Sequence, residues 1–399
     1  MRFPFGNGEA FLENELPVLA KGFKRIKLFP LSAAGPQRST PPNVDVVRLF
    51  KSEEIYRPSD VLSTMKELPI LLKLLRNSRR SAPSAAIFAK HRREIISRLR
   101  QALYREKRLR AYSAKNFGIK TVTLYSYWTA DWSTVLGLLK AHEPEVQFIS
   151  RMHGFDLYAE RAPDGWQMFQ SFHIAQAERI YIASKAGLDD LEQRWPNYVG
   201  KFRLARLGTT DHGAAPWAPV QQLRVVSCSH FVELKRVSLI AESLRHIEGP
   251  ICWTHFGDGP ERSNVEAIVK GLPSNVTVHL MGNCPNTAVM TWYKSNPVDV
   301  FVHASYTEGG APVALQEAAS FGIPLLAADA GGVREVVTEA SGILLPNALT
   351  ADVLSKALND FRGSNWRTVN ARAAVRSFWA SNFNAEKVYG RFLDEIQCK

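Results

Sequence analysis

Residue types able to do chemistry collect at four places in the chain. The apolar run VDVFVHAS leads into SYTEGGAPVALQEAASFGIP, which carries Glu308, the pair Gly309 and Gly310, then Pro312 and Glu317. Glycines ahead of a helix leave backbone N–H groups and the positive end of the helix dipole open to a phosphate. Pro312 suits the first turn because its missing N–H costs nothing there. Glu308 falls in the loop and Glu317 inside the helix, so the two carboxylates can reach different parts of one nucleotide-bearing ligand; the alternatives are a capping carboxylate and a helix-surface residue. The run VVSCS leads to HFVELKRVSLIAESL, where Lys235 and Arg236 precede an amphipathic helix. Two cations beyond a strand can neutralise a leaving diphosphate, although Lys-Arg pairs are also common on plain surfaces. FISRMHGFDLY sets His153 directly after a strand, where imidazole suits a polar contact or a proton relay. GNGE, with Gly6 and Gly8, would let backbone approach a phosphate, but Phe11 stands where a dinucleotide fingerprint needs its third glycine.

These residues need a frame that brings strand ends together. Short β-rich runs alternate with helical periods: IKLFPL (26–31), VDVVRLF (44–50), TVTLYSYW (121–128), VQFISR (146–151) and RIYIAS (179–184). The rhythm pauses at RLGTTDHGAAPWAPVQQ and restarts with LRVVSCS, PICWTHFG, NVTVHLMG, VDVFVHAS and IPLLAAD. Such alternation predicts α/β architecture, two doubly wound Rossmann-like domains. The expected organisation is an N-terminal domain over 1–210, a hinge over 211–222, a second domain over 223–375 and a C-terminal helix over 376–399. Open sheets of this kind bind ligands beyond the carboxyl ends of their strands, where the candidate residues fall.

Composition bounds the remaining readings. The 399 residues are 45% hydrophobic and 22% charged, as in ordinary globular proteins, which excludes a disordered or collagenous chain. Four cysteines without a CxxC pair predict a reducing compartment and no structural metal. No signal-peptide profile and no long apolar run appears, so a cytoplasmic chain is expected. GxxxxGK[ST], GxSxG, HExxH and Asp-x-Asp are all absent, which removes support for P-loop, nucleophile-elbow, zincin and metal-held nucleotide-sugar sites. The net charge of +12 is uneven: residues 1–210 carry +14 and 211–399 carry −2. Thirteen basic residues between Lys73 and Arg110 face only Glu94 and Glu106, within a helical period over 85–117. That segment reads as a solvated helix face or as a patch for an anionic membrane surface. Nucleic acid is not an expected partner, since no RNP-like strand, finger spacing or basic zipper accompanies the charge.

Taken together, PFGNGEAFLENEL, LYSYW, SRMHGFDLYAER, RLGT, CSHFVELKR, FGDGPE and EGGAPVALQEAASFGIPLLAADAGGVREVV resemble the retaining family 4 glycosyltransferases of the GT-B fold. Within that family they look most like the bacterial exopolysaccharide enzymes of the amylovoran and colanic acid type. The resemblance implies two domains facing a central cleft, with C-terminal helices crossing back to the first. It implies transfer of a sugar from a UDP- or GDP-sugar to a glycan acceptor, lipid-linked at the inner face of the cytoplasmic membrane, with retained configuration and without a metal or other cofactor. Carried over by position, Glu308 would sit at the donor sugar and Glu317 at the ribose. Gly309, Gly310, Ala311, Pro312, Val313 and Ala314 would offer backbone contacts to sugar and diphosphate, and Lys235, with Arg236 and His230, would bind the diphosphate. His153 would lie by the transferred sugar and acceptor, and Gly6 and Gly8 by the β-phosphate. Three departures accompany the resemblance. Glu308 and Glu317 are separated by eight residues where the family has seven, and His230 replaces the usual Arg five residues before the Lys. The family's strand ahead of PFGNGE is missing at the start of this chain, so an upstream start or a lost strand is expected. Other readings are a catalytically impaired sugar-binding or scaffold protein, and epimerisation or phosphorolysis on the same fold.

Overall fold

A computed structural model describes residues 2–6, 9, 11–50 and 68–397. Two compact units emerge, one of Met1–Glu9 with Phe23–Ala205 and one of Ala10–Gly22 with Arg206–Lys399. The first helix, α1 (Leu12–Gly22), therefore counts with the second unit although the chain enters the first unit directly after it.

In the first unit β1 (Ile26–Leu28) pairs in parallel with β2 (Val44–Val46). Two basic helices follow, α2 (Leu68–Ser81) and α3 (Ala85–Asn116). Ser84 starts α3 by accepting from the Ile87 amide, and extended backbone at Phe117 ends it. Its stripe of Ile95, Leu99, Ala102, Leu103 and Leu109 enters the core while Lys90, Arg92, Arg93 and Arg100 face solvent. Each buried Leu of that stripe contributes about 2 kcal/mol. The chain continues as β3 (Leu124–Ser126), α4 (Asp131–His142), β4 (Phe148–Met152), the single turn α5 (Gly154–Leu157), α6 (Gln170–Gln176), β5 (Arg179–Ile182), α7 (Lys185–Arg194) and β6 (Phe202–Leu204). The four strands β3 to β6 form one parallel sheet in sequence order. β4 is buried at all five positions, as a central parallel strand covered on both faces must be. The β-rich runs over 44–50 and 121–128 keep only three strand residues each. The second begins in a 3₁₀ turn at Ile119–Thr121 and closes where Ser126 Oγ bonds the Trp128 carbonyl.

The second unit runs β7 (Leu223–Cys228), α8 (Val237–Ser243), β8 (Ile251–Phe256), α9 (Arg262–Lys270), β9 (Val276–Leu280), α10 (Asn286–Ser295), β10 (Val300–His303), α11 (Val313–Ser320), β11 (Leu325–Ala328), β12 (Gly342–Leu345), α12 (Ala351–Arg362), α13 (Val369–Asn382) and α14 (Ala385–Gln397). Six parallel strands lie in the order β12-β11-β10-β7-β8-β9. Strand order reverses between β7 and β10, the switch point at which an open α/β sheet leaves a crevice beyond its strand ends. β10 and β11 are wholly buried, which fixes the two strand ends from which the candidate loops leave. α14 packs on α1 through Tyr389, Ala385 and Val18, and the Tyr389 hydroxyl accepts from the Gly208 amide at 3.0 Å. Among the described residues no helix is long and apolar enough to cross a membrane.

Candidate functional site

Lys235 leaves the end of β7 in the 3₁₀ turn Glu233–Lys235, and Glu308 lies five residues beyond the end of β10. These are neighbouring strands at the switch point, so their loops meet. Lys235 Nζ donates to Glu308 Oε1 at 2.5 Å, and His303 Nε2 bonds the same oxygen at 2.9 Å. Burial disfavours the Glu308 anion, but the His303 bond and the Lys235 charge outweigh it and bring its pKa down to about 2. The result is a carboxylate held ionised, with an ammonium beside it.

The loop after Glu308 is shaped from behind. A Cβ added at Gly331 would sit 2.1 Å from the Glu308 carbonyl oxygen, and one at Gly332 would sit 2.4 Å from the Gly310 carbonyl carbon. Backbone thus packs directly on backbone. Pro312 stands in extended conformation at the N-cap of α11, one position earlier than the first-turn expectation, and the helix proper opens at Val313. The first amides of α11, from Val313 and Ala314 onward, have no intrahelical acceptor by geometry. Gly309 and Gly310 lie half-buried ahead of them, Ala311 is buried, and Gln316 Nε2 holds the Ala311 carbonyl at 3.1 Å.

Glu317 is buried one turn into α11 and accepts from Asn286 Nδ2 at 2.8 Å. Burial raises its carboxyl to about 7, with the Asn286 bond pulling the other way. Arg236 adopts a left-handed backbone at φ 46°, and its guanidinium bonds the carbonyls of Ala304 at 2.6 Å, Asn347 at 3.0 Å and Ser305 at 3.3 Å. It ties the β10 loop to the residues after β12. His230 is exposed just past β7.

The remaining candidates belong to the first unit. His153 follows β4, is buried, and packs between the rings of Trp128 at 4.4 Å and Tyr127 at 5.0 Å. Burial and the Arg151 charge hold its pKa well below the ordinary histidine range, so it is neutral. Its amide donates to Asp156 Oδ1 at 2.7 Å, and the Thr129 amide donates to Asp156 Oδ2 at 2.6 Å. Gly6 takes φ 68° and donates to the Pro36 carbonyl at 3.2 Å. Glu9 accepts from the amides of Arg2 and Phe3 at 2.7 Å each and from Trp128 Nε1 at 2.9 Å, which links the N-terminal loop to the ring beside His153. Gly8 lies outside the described residues.

Sequence reasoning passed over His303, Asn286, Glu9 and Trp128. The signal for His303 was present, because it ends a strand five residues before Glu308; Asn286 and Trp128 act across 31 and 119 residues and left no local trace. Among the described residues no group of three or more His, Cys, Asp or Glu is placed to hold a metal ion.

Residues 215–373, which include every candidate of the second unit, match the family model for glycosyl transferases group 1. A GDP-mannose-dependent alpha-mannosyltransferase of Mycobacterium tuberculosis (strain CDC 1551 / Oshkosh) is 25% identical over 243 residues, 59% of this chain. The match spans 56% of that relative's length. Among solved structures, Anabaena Alr3699/HepE in complex with UDP and glucose is similar over 99% of this chain and 97% of its own, with a TM-score of 0.65 and 15% identity. Sucrose-phosphate synthase (tll1590) from Thermosynechococcus elongatus is similar over 98% and 93%, with a TM-score of 0.68 and 18% identity. The chain has the GT-B fold, two α/β Rossmann-like domains with C-terminal helices.

Proposed function

We propose that this GT-B chain is a retaining glycosyltransferase that moves a sugar from a UDP- or GDP-sugar to a lipid-linked glycan acceptor in cell-surface polysaccharide synthesis. One observation carries the reading: an ionised Glu308 and the Lys235 ammonium converge at the sheet's switch point beside the amide-rich start of α11. In the departure of a nucleoside diphosphate, negative charge grows on the leaving group while the sugar gains oxocarbenium character. Fixed cations and backbone amides stabilise the first, and a carboxylate suits the second. Lys235 and the amides of Gly309, Gly310, Ala311, Val313 and Ala314 take the diphosphate, Glu308 lies at the donor sugar, and Glu317 receives the ribose hydroxyls. Neutral His153 contacts the transferred sugar and acceptor, with the Gly6 loop near the phosphate. The relative named for GDP-mannose and the neighbours holding UDP support a nucleotide sugar as donor and leave both bases in play.

Cations exposed on α2 and α3, among them Arg76, Arg79, Arg80, Arg92 and Arg93, suit a peripheral contact with anionic lipid at the cytoplasmic membrane face. A catalytically impaired sugar-binding protein is the second reading. The Arg236 guanidinium, engaged by three carbonyls, favours it, because that cation is not free for a diphosphate.

Nucleotide release is measured in EDTA over a panel of UDP- and GDP-sugars, with a lipid-linked acceptor extract in anionic and in neutral vesicles. Acceptor-dependent turnover of one donor is expected, faster on anionic vesicles. Donor binding without turnover would establish the impaired reading, and equal rates on both vesicles would remove the membrane contact.

Donor affinity is also expected to depend on pH through Glu317. Its carboxyl titrates near 7 because burial raises it, so it is largely protonated at pH 6 and ionised at pH 8. A ribose hydroxyl bonds an anion more strongly than a neutral carboxyl by about 1 kcal/mol, and affinity should rise about fivefold between those pH values. Glu317→Gln should flatten the curve. The unliganded fold moves the other way: stability contributed while Glu317 is protonated is full below its ordinary value of 4.5 and is lost as pH rises through about 7. An unchanged slope in the variant would dissociate Glu317 from the ribose.

A further inference from the structure

Between β7 and β8 a run of polar side chains crosses an otherwise apolar layer. Ser227 on β7 stands directly opposite His255 on β8, and Trp253, two residues back along β8, lies on the same face. All three are buried, His255 and Trp253 completely, and Trp253 belongs to the same buried cluster as Val225, Phe231 and Val300. Trp253 Nε1 donates to Ser227 Oγ at 2.9 Å, Ser227 Oγ lies 2.7 Å from His255 Nδ1, and His255 Nε2 lies 3.1 Å from the Ser229 carbonyl oxygen. A carbonyl can only accept, so Nε2 carries the proton. Burial keeps the ring neutral, with a pKa of about 4, so Nδ1 accepts and Ser227 donates to it. The run therefore has one proton order, from Trp253 through Ser227 and His255 to the backbone of Ser229, with every polar atom satisfied.

That run ends where β7 stops. Ser229 is the first residue past the strand; its amide donates to the Phe256 carbonyl at 3.0 Å, and its carbonyl takes the His255 proton. Gly257 makes the room, since a Cβ there would sit 1.8 Å from that carbonyl oxygen and 3.2 Å from His255 Nε2. Two residues on, backbone alone repeats the arrangement. The Phe231 amide bonds the Asp258 carbonyl at 3.1 Å, its carbonyl accepts from the Glu261 amide at 3.0 Å, and a Cβ at Gly259 would lie 2.5 Å from that oxygen. FGDGPE thus forms a backbone cradle under the segment 229–231, and the His255 ring packs on Phe231 at 4.6 Å. From the cradle the chain passes directly to its cations. His230 adjoins Ser229, and the Lys235 amide bonds the Val232 carbonyl at 2.9 Å in the turn that brings the ammonium to Glu308. A fully satisfied buried network rigidifies what it holds, whereas an apolar side chain at 255 would fill the space and leave the Ser229 carbonyl unheld.

We infer that His255 is a positioning residue for the donor's diphosphate: through the Ser229 carbonyl it fixes the segment that carries His230 and Lys235, and so sets where the Lys235 ammonium meets the leaving phosphates. The tether rests on the network alone, and its effect on a phosphate rests on the glycosyltransferase reading.

The test compares His255→Gln with His255→Asn in the full chain. The Gln amide reaches as far as Nε2 and can still donate to Ser229, whereas the Asn amide reaches only as far as Nδ1 and keeps the bond from Ser227 instead. Each variant breaks one bond of the run, so a difference between them reports which bond matters. Calorimetric binding of UDP and GDP is measured beside UMP and GMP, which lack the second phosphate, and amide hydrogen exchange is followed over residues 229–235. For the diphosphate that binds, affinity should fall about tenfold in His255→Asn and stay within about threefold in His255→Gln, with the matching monophosphate changing less than about threefold in both. The amides of 229–235 should exchange faster in the Asn variant than in the Gln variant. Equal diphosphate affinity in the two variants, or a monophosphate loss as large as the diphosphate loss, would overturn the assignment and leave His255 a core residue. A parent chain that binds neither diphosphate would fail the donor reading, and exchange then decides the tether by itself: faster exchange in the Asn variant upholds it, and equal exchange overturns it.

Discussion

Lys235→Ala is expected to lower sugar transfer by about a hundred- to a thousandfold, the usual cost of removing one fixed group that stabilises departing charge. Among the described residues Lys235 is the cation in contact with Glu308 Oε1 whose ammonium can also meet a phosphate, since Arg236 is committed to the carbonyls of Ala304, Ser305 and Asn347. Two effects add in the variant. The diphosphate loses a counter-charge where the leaving group develops its own, and Glu308 loses one of the two partners that hold it ionised. His303 remains at 2.9 Å, so Glu308 should stay in place and the loss should fall mainly on kcat. Arg236→Ala serves as the contrast: it should lower the thermal midpoint by freeing the loop after β10, and its effect on rate should follow that loosening. A Lys235→Ala rate within about threefold of the parent would move diphosphate binding away from this residue.

The frame around these groups was readable because parallel strands buried on both faces leave continuous apolar runs. β10 and β11 appear where VDVFVHAS and IPLLAAD stand, and the basic helix expected over 85–117 is α3, Ala85–Asn116. Extents were less readable in the first unit. VDVVRLF has the composition of a strand, yet only Val44–Val46 pair, and beyond them Arg48 lies over the Phe5 ring at 4.7 Å while Arg108 bonds the Leu49 carbonyl. Those partners are far away in sequence, and no local pattern announces them. The candidate site divides in the same way. Glu308, Lys235 and Glu317 could be picked from residue type and position after a strand, but the assignment of Arg236 to backbone carbonyls could not. Nor could the packing of Trp128 against His153, with Glu9 behind it, because these depend on which loops the sheet order sets side by side.

Gly331→Ala is expected to destabilise the second unit by about 2–4 kcal/mol and to remove most transfer activity with it. Gly331 holds φ 55°, a left-handed backbone that costs an alanine about 1–2 kcal/mol by itself. The added Cβ would also stand 2.1 Å from the Glu308 carbonyl oxygen and 3.1 Å from its carbon, atoms of backbone that cannot rotate aside as a side chain would. Either residue 331 retreats or Glu308 does. Retreat of Glu308 separates its carboxylate from Lys235 and His303 together and shifts Gly309 and Gly310 ahead of α11, so one methyl group acts on the whole cluster without touching any of its side chains. Gly390 provides the control: it lies inside α14 with nothing within 4 Å of its would-be Cβ, and Gly390→Ala should stabilise the helix by roughly 1 kcal/mol. Thermal midpoints and transfer rates of the two variants, measured side by side, should therefore move apart. If Gly331→Ala keeps the parent's midpoint and rate, the close packing of residues 331–332 on 308–310 does not exist in solution, and the position given to Glu308 falls with it.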